Sequence, residues 1–285
     1  MKVLWTFNPF DKNRELQIAG EKLFTAWFGR NNTLEVVYVA SNAESNLATS
    51  FAIPTVKRYS EYPKKIIQNQ LKKLKLEKAK IEVLFEKSLS LSASVKKIVD
   101  YTKLKKIDLI LIATNSKKLL PRVVFGSFAE TLVHLSSCDL LIFHQKTKFK
   151  THMPTQIIYA HDFSIKGANG LDKIIEYTKL WSANLYIIHV PVPEVGIELH
   201  DFKNQVQKRA KKLQKILENE KIKFRIDIKY EIHPISDILM DSAKKIKADL
   251  IAVTAQSSKL SAFLGGSVTR QVLRESSVPT LVLKV

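Results

Sequence analysis

A chain of 285 residues has room for one large domain or two ordinary ones, and either can bury a full core. Hydrophobic residues make up 45% with only 8 Gly and 9 Pro, which excludes a disordered or fibrous composition, and the single Cys138 excludes an intrachain disulfide framework. The net charge of +19 rests on 38 Lys and 8 Arg. That lysine-dominated excess fits a solvated surface better than base-specific nucleic-acid reading, for which the arginine fork is the better tool.

In chain order, MKVLWTFN, 1–8, is the first short apolar run and reads as a strand. Its apolar part is too short for a secretory leader, and no stretch approaches roughly 18 apolar residues, so the expected location is the cytoplasm. A helical stretch follows over 12–29, with Asp11 at its cap position. Next come a strand, LEVVYVA, 34–40, a lysine-rich helix, 60–79, and a third strand, IEVLFEK, 81–87. The next helix, 93–104, has Ser92 and Ser94 as cap hydroxyls. KKIDLILIATNS, 105–116, then runs from a basic helix end into a continuous apolar strand of the kind buried on both faces. Gly126-Ser127 opens another helical run, and SSCDLLIF, 136–143, closes the half with a fifth strand.

The same order then repeats. TQIIYAHD, 155–162, LYIIHVP, 185–191, and FRIDIKY, 224–230, match the first three strands. IKADLIAVTAQSS, 246–258, matches the fourth, and SSVPTLVL, 276–283, the fifth. Helices fall at 165–180, with Ser164 as cap, at 201–220 and at 235–246, and Gly266-Ser267 opens the last one. Strict strand–helix alternation implies an α/β fold of parallel strands. The polar, basic stretch around 147–154 separates a first domain, 1–146, from a second, 155–285.

This repeated order resembles the universal stress protein family, as a tandem member with two copies. The resemblance covers nearly the whole chain. It rests on the element order, the Gly-Ser before each last helix, Asp162 after the first strand of the second copy, and the closing Val-Pro-x-Leu-Val-Leu of 278–283. It implies two Rossmann-like domains, each a five-stranded parallel sheet of order 3-2-1-4-5 with helices on both faces. It also implies an intramolecular pseudo-dimer of the two copies, with further homodimerisation an option, and a stress-response binding or regulatory role.

The ATP-binding branch of that family carries Gly-x2-Gly-x9-Gly-Ser/Thr between its fourth strand and last helix. Glycines there let the backbone approach phosphates, and the helix N-terminus offers free N–H groups. In the first copy the resemblance aligns Asn8 with the nucleoside-contacting Asp, and Ala113 and Ser116 with the two early glycines. Only Gly126-Ser127 remains, and Ser127 with Glu130 reads equally as a capping box, so this copy is the degenerate one. The second copy keeps Asp162 and Gly266, Ser267, Val268 and Thr269, with Val190 beside them at the end of the second strand. Its early glycine positions hold Thr254 and Ser257. ATP or another adenine nucleotide, with Mg²⁺ if ATP, is therefore expected in the second copy, and Asp162 has a turn or cap role as its alternative.

Nothing points to catalysis or a metal site. The seven histidines lack ligand spacing, with His134 and His189 reading as packing or surface residues, and His161 stands out only for its place beside Asp162. Weak ATP hydrolysis at the second copy stays open as an alternative. So does electrostatic contact with nucleic acid or an anionic membrane through the lysine-rich helices at 62–80 and 203–223.

Overall fold

A computed structural model describes residues 1–11, 13–29, 32–41, 56–88, 90–114, 127–148, 150–163, 165–193, 196–231, 233–255 and 267–285, with only the backbone described at 41, 56–59, 165–168 and 267. The chain divides into two compact units, Met1–Gln145 and Lys146–Val285.

The first unit runs β1 (Lys2–Thr6), α1 (Arg14–Trp27), β2 (Thr33–Ser41), α2 (Val56–Lys73), β3 (Lys80–Glu86), α3 (Leu91–Lys105), β4 (Leu109–Thr114), α4 (Ser127–Leu135) and β5 (Asp139–His144). The second repeats it as β6 (Gln156–Ala160), α5 (Ile165–Trp181), β7 (Asn184–His189), α6 (Leu199–Asn219), β8 (Lys223–Ile228), α7 (Ile235–Ile246), β9 (Leu250–Ala255), α8 (Ser267–Glu275) and β10 (Thr280–Lys284).

Within the first unit the strands lie in the order β3-β2-β1-β4-β5, and within the second β8-β7-β6-β9-β10. The pairs inside each unit are parallel, with Val3 opposite Leu109 and Ile157 opposite Leu250 fixing the two equivalent registers. This is the expected 3-2-1-4-5 order. The central strands are uniformly apolar because helices cover both faces of a parallel sheet, and Leu109, Ile110 and Leu111 are fully buried. The outer strands β3 and β8 carry Lys80, Glu82, Arg225 and Asp227 and are only half-buried, as edge strands tend to be.

The duplicated sequence signals have duplicated physical jobs. Asp108 accepts the Lys2 N–H at 2.7 Å, and its equivalent Asp249 accepts the Thr155 N–H at 2.8 Å and the Gln156 N–H at 3.0 Å. Each Asp of the two Asp-Leu-Ile stretches thus ties the start of β4 or β9 to the start of the neighbouring β1 or β6. Ser136 and Ser276 each fold back on the chain two residues ahead, donating to the Cys138 and Val278 carbonyls and accepting their N–H groups. These side-chain turns aim the chain into β5 and β10. Residues of the expected linker are held to the second unit: Lys148 N–H donates to the Ser277 carbonyl, and Lys150 pairs with Asp249 at 2.7 Å.

Several local expectations need correction. Asp11 does not cap α1; the helix starts after Asn13, and Asp11 Oδ1 accepts the Asn13 N–H in a turn. Ser92 and Ser94 sit inside α3, whose cap residue is Ser90. Ser127 is the first described residue of α4, and Gly126 before it lies outside the described residues. The lysine-rich helix ends at Lys73 and not at 79, because Lys75 turns left-handed with φ 57°. Ser164 lies outside the described residues.

Candidate functional site

Strand order reverses between β1 and β4 and again between β6 and β9. At such a point the following helices leave on opposite faces, and a cleft opens at the carboxyl ends of the strands. Each unit has one there.

The second unit's cleft has a volume of about 240 Å³. It gathers five of the expected residues, Asp162, Val190, Thr254, Val268 and Thr269, from the ends of β6, β7 and β9 and the first turn of α8. Of the others, Ser257 and Gly266 lie outside the described residues, and only the backbone of Ser267 is described, at the start of α8. Ile188, Ile235 and Val253 add apolar wall.

The floor of this cleft is polar. Tyr159 on β6 and Thr254 on β9 join hydroxyls at 2.8 Å. Burial pushes the Tyr159 phenol up to about 12 against the Thr254 hydrogen bond, so the phenol keeps its proton. Both groups press on Gly170 of α5, where any added Cβ would strike the Tyr159 and Thr254 oxygens. His161 Nδ1 accepts the Phe163 N–H at 2.9 Å, and the His189 Nδ1–H donates to the His161 carbonyl at 2.8 Å. Burial holds His189 below its ordinary value, against the upward pull of that carbonyl and of Asp162. A neutral His189 ring lies 4.0 Å from Phe163, whose φ of 57° turns the chain out of β6. Asp162 projects into solvent at this bend.

The first unit's cleft is larger, about 370 Å³, and differs in chemistry. Asn8 and Ala113 line it as the sequence expects. Ser127 begins α4 and is exposed, while Ser116 and Gly126 lie outside the described residues. Trp5 stands where the second copy has Tyr159, and its ring presses on Gly20 of α1 as Tyr159 presses on Gly170. Phe7 stands in the place of His161 and meets Trp5 edge-on at 4.9 Å. Asn8 Oδ1 accepts the Phe10 N–H at 3.0 Å.

Sequence reasoning marked His161 beside Asp162 but missed the other walls: Trp5, Phe7, Tyr38 and Phe128 in one copy, Tyr159 and Ile188 in the other. The available signal was the period of two along the first strand. Trp5 and Phe7, like Tyr159 and His161, step toward the aligned Asn8 and Asp162.

Among the described residues of the second cleft, Asp162 is the sole carboxylate of the lining, and the Thr254 hydroxyl is already engaged. Such a recess can bind and orient. Among the described residues no three His, Cys, Asp or Glu converge as a metal site, and no helix is long and apolar enough to cross a membrane.

Two five-stranded parallel sheets of 3-2-1-4-5 order, each with its cleft at the reversal point, define a tandem Rossmann-like α/β protein. The model of the Universal stress protein family matches residues 12–144 and again 153–284, so the chain belongs to the universal stress protein family, with two copies. A universal stress protein from Archaeoglobus fulgidus is 17% identical over 99% of this chain and 98% of that one, with a TM-score of 0.70. A putative universal stress protein from Pseudomonas aeruginosa is 14% identical over 99% and 92%, at 0.65. A shorter Archaeoglobus fulgidus structure in complex with dAMP is 18% identical over 46% of this chain and 98% of its own, at 0.37; that ligand is a property of that protein alone. No curated protein sequence matches the chain.

Proposed function

We infer that this tandem universal stress protein is a cytoplasmic stress-response binding module whose second copy holds an adenine nucleotide. The observation that carries this reading is the meeting of Asp162, Val190, Thr254, Val268 and Thr269 in one cleft at the end of β6, β7 and β9. In this reading Asp162 accepts ribose hydroxyls. Ile188, Val190 and Val253 offer flat apolar walls for the base. In this reading the N-terminus of α8 offers its first-turn N–H groups and a positive dipole end to phosphates. A volume of about 240 Å³ lies just below the ~300 Å³ at which ligand pockets commonly begin, so the recess takes the nucleoside and leaves the phosphates at the helix end.

The test is nucleotide analysis of denatured fresh protein, followed by calorimetric titration with ATP and Mg²⁺. We expect saturable binding that weakens about tenfold or more in Asp162→Ala, a loss of about 1.4 kcal/mol or more. No nucleotide in the extract and no saturation at millimolar ATP would remove the reading.

A further inference from the structure

The helix α2 presents two unlike faces. Pro63, Ile67 and Leu71 are buried against the sheet of the first unit. Glu61, Tyr62, Lys65, Asn69, Lys72 and Lys73 are all exposed. At 3.6 residues per turn these six share about one third of the helix circumference, so they form one row along its outer side. From Tyr62 to Lys73 the row is about 16 Å long.

The row has an aromatic head. Tyr62 stacks on Phe10 with ring centroids 6.3 Å apart, and Phe10 meets the buried Tyr38 edge-on at 5.8 Å. The turn that carries Phe10 is pinned on both sides of it. Gln70 Nε2 of α2 donates to the Pro9 carbonyl at 3.0 Å, and the Phe10 N–H donates to Asn8 Oδ1 at 3.0 Å. The rings are thus anchored, yet Phe10 is 45% and Tyr62 65% exposed. A flat group laid on Tyr62 buries apolar area on a stack that is already ordered, so little entropy is lost in using it.

The charges of the row say what the flat group belongs to. Lys65, Lys72 and Lys73 follow the rings at helical spacing, as phosphates follow the bases of a nucleic acid strand. A duplex keeps its bases stacked inside and meets only the lysines, whereas an unpaired strand can also give a base to Tyr62. Glu61 is the one acid in the sequence of α2 and directly precedes Tyr62. A carboxylate there repels phosphate but accepts from a ribose 2′-OH, which DNA lacks. An anionic membrane fits less well, because the apolar side that an interfacial helix inserts into lipid is already packed on the sheet.

We propose that the outer face of α2, headed by Phe10 and Tyr62, binds single-stranded RNA. A base stacks on Tyr62, its ribose 2′-OH donates to Glu61, and the phosphates run along Lys65, Lys72 and Lys73. This surface belongs to the first unit and does not depend on a nucleotide in the second.

The test is fluorescence anisotropy of the full-length protein with a labelled single-stranded RNA of about ten nucleotides. Titrations are run at about 200 mM salt, where adhesion by charge alone has largely fallen away. We expect saturable binding that weakens about fivefold or more in Tyr62→Ala and in Phe10→Ala, and that survives in Tyr62→Phe. Two ring variants are used so that a folding defect in one, seen by circular dichroism, leaves the other decisive. Lys65→Glu and Lys72→Glu each flatten the log–log salt slope by about 0.7 if the lysine meets a phosphate. The DNA strand of the same sequence and the RNA duplex bind more weakly, and Glu61→Ala narrows the gap between RNA and DNA. The proposal is overturned by absence of saturation, by unchanged binding in both ring variants, by an unchanged salt slope in both lysine variants, or by equal affinity for the DNA strand or the duplex. Phosphatidylserine vesicles that bind with Tyr62 dependence while RNA does not would make the face a membrane contact and overturn it too. Loss of ATP binding in Asp162→Ala bears only on the second unit, so the two readings fail separately.

Discussion

Asp249 shows how much one repeated residue contributes. Its side chain is nearly buried, and it accepts from two backbone N–H groups, the Thr155 hydroxyl and Lys150. Burial opposes its charge, but Lys150, Thr155 and Gln156 together hold the carboxyl below its ordinary value of 3.8. A depressed folded value means that the stabilisation is fully present above about pH 4 and is lost as pH falls through the folded value. Asp249→Asn is expected to cost about 2–4 kcal/mol at neutral pH, read as a lower urea midpoint. The variant's further loss on acidification below about pH 4 is smaller than the wild type's. The equivalent Asp108 is exposed and accepts the Lys2 N–H, so Asp108→Asn costs about 1 kcal/mol or less. Both aspartates were legible as a repeated Asp-Leu-Ile. Their unequal weight was not, because burial belongs to the folded surroundings.

At the scale of the element, the helix ends repeat as faithfully as the strands. Lys106 after α3 and Lys247 after α7 both adopt φ 53°, closing their helices in the left-handed conformation. A side chain there costs about 1–2 kcal/mol that glycine avoids, partly offset by glycine's greater chain entropy. Lys247→Gly and Lys106→Gly are therefore each expected to raise stability by about 0.5–1 kcal/mol in urea unfolding. The opposite substitution is harmful on α5. Gly170→Ala drives a methyl into the Tyr159–Thr254 pair, so we expect a loss of about 1–3 kcal/mol. Nucleotide binding at the second cleft weakens with it, because the cleft floor shifts. An alanine at 170 with unchanged urea midpoint and unchanged ATP titration would contradict this packing account. Element order was readable from periodicity and the duplicated Gly-Ser and Asp-Leu-Ile marks. Helix starts were less so, since Asn13, Ser90 and Pro234 precede their helices without any side-chain cap bond to single them out from nearby hydroxyls and carboxylates.

For the molecule as a whole, the excess positive charge is a property of the surface. α6 buries Phe202, Val206, Ala210, Leu213 and Leu217 on its sheet, and leaves Lys203, Lys208, Arg209, Lys211, Lys212 and Lys215 in solvent. This is the packing role expected of a crossover helix, with cations filling the outer face. We expect sequence-independent adhesion to duplex DNA that falls steeply between about 50 and 200 mM salt. Charge reversal at Lys208, Lys212 and Lys215 flattens the log–log salt slope by about one unit for each lysine that meets a phosphate, and leaves the ATP titration unchanged. A salt slope near zero for the wild type would show that these cations meet no phosphate.

The sequence by itself determined the duplicated α/β order, the parallel strands and the family. Those follow from local hydrophobic period and from short marks that need only neighbouring residues to be read. The contrast between the clefts was decided by tertiary structure. Trp5, Tyr38, Ala113 and Phe128 are spread over more than a hundred residues, and each alone reads as ordinary core. Only the reversal of strand order at β1 and β4 brings them around one opening.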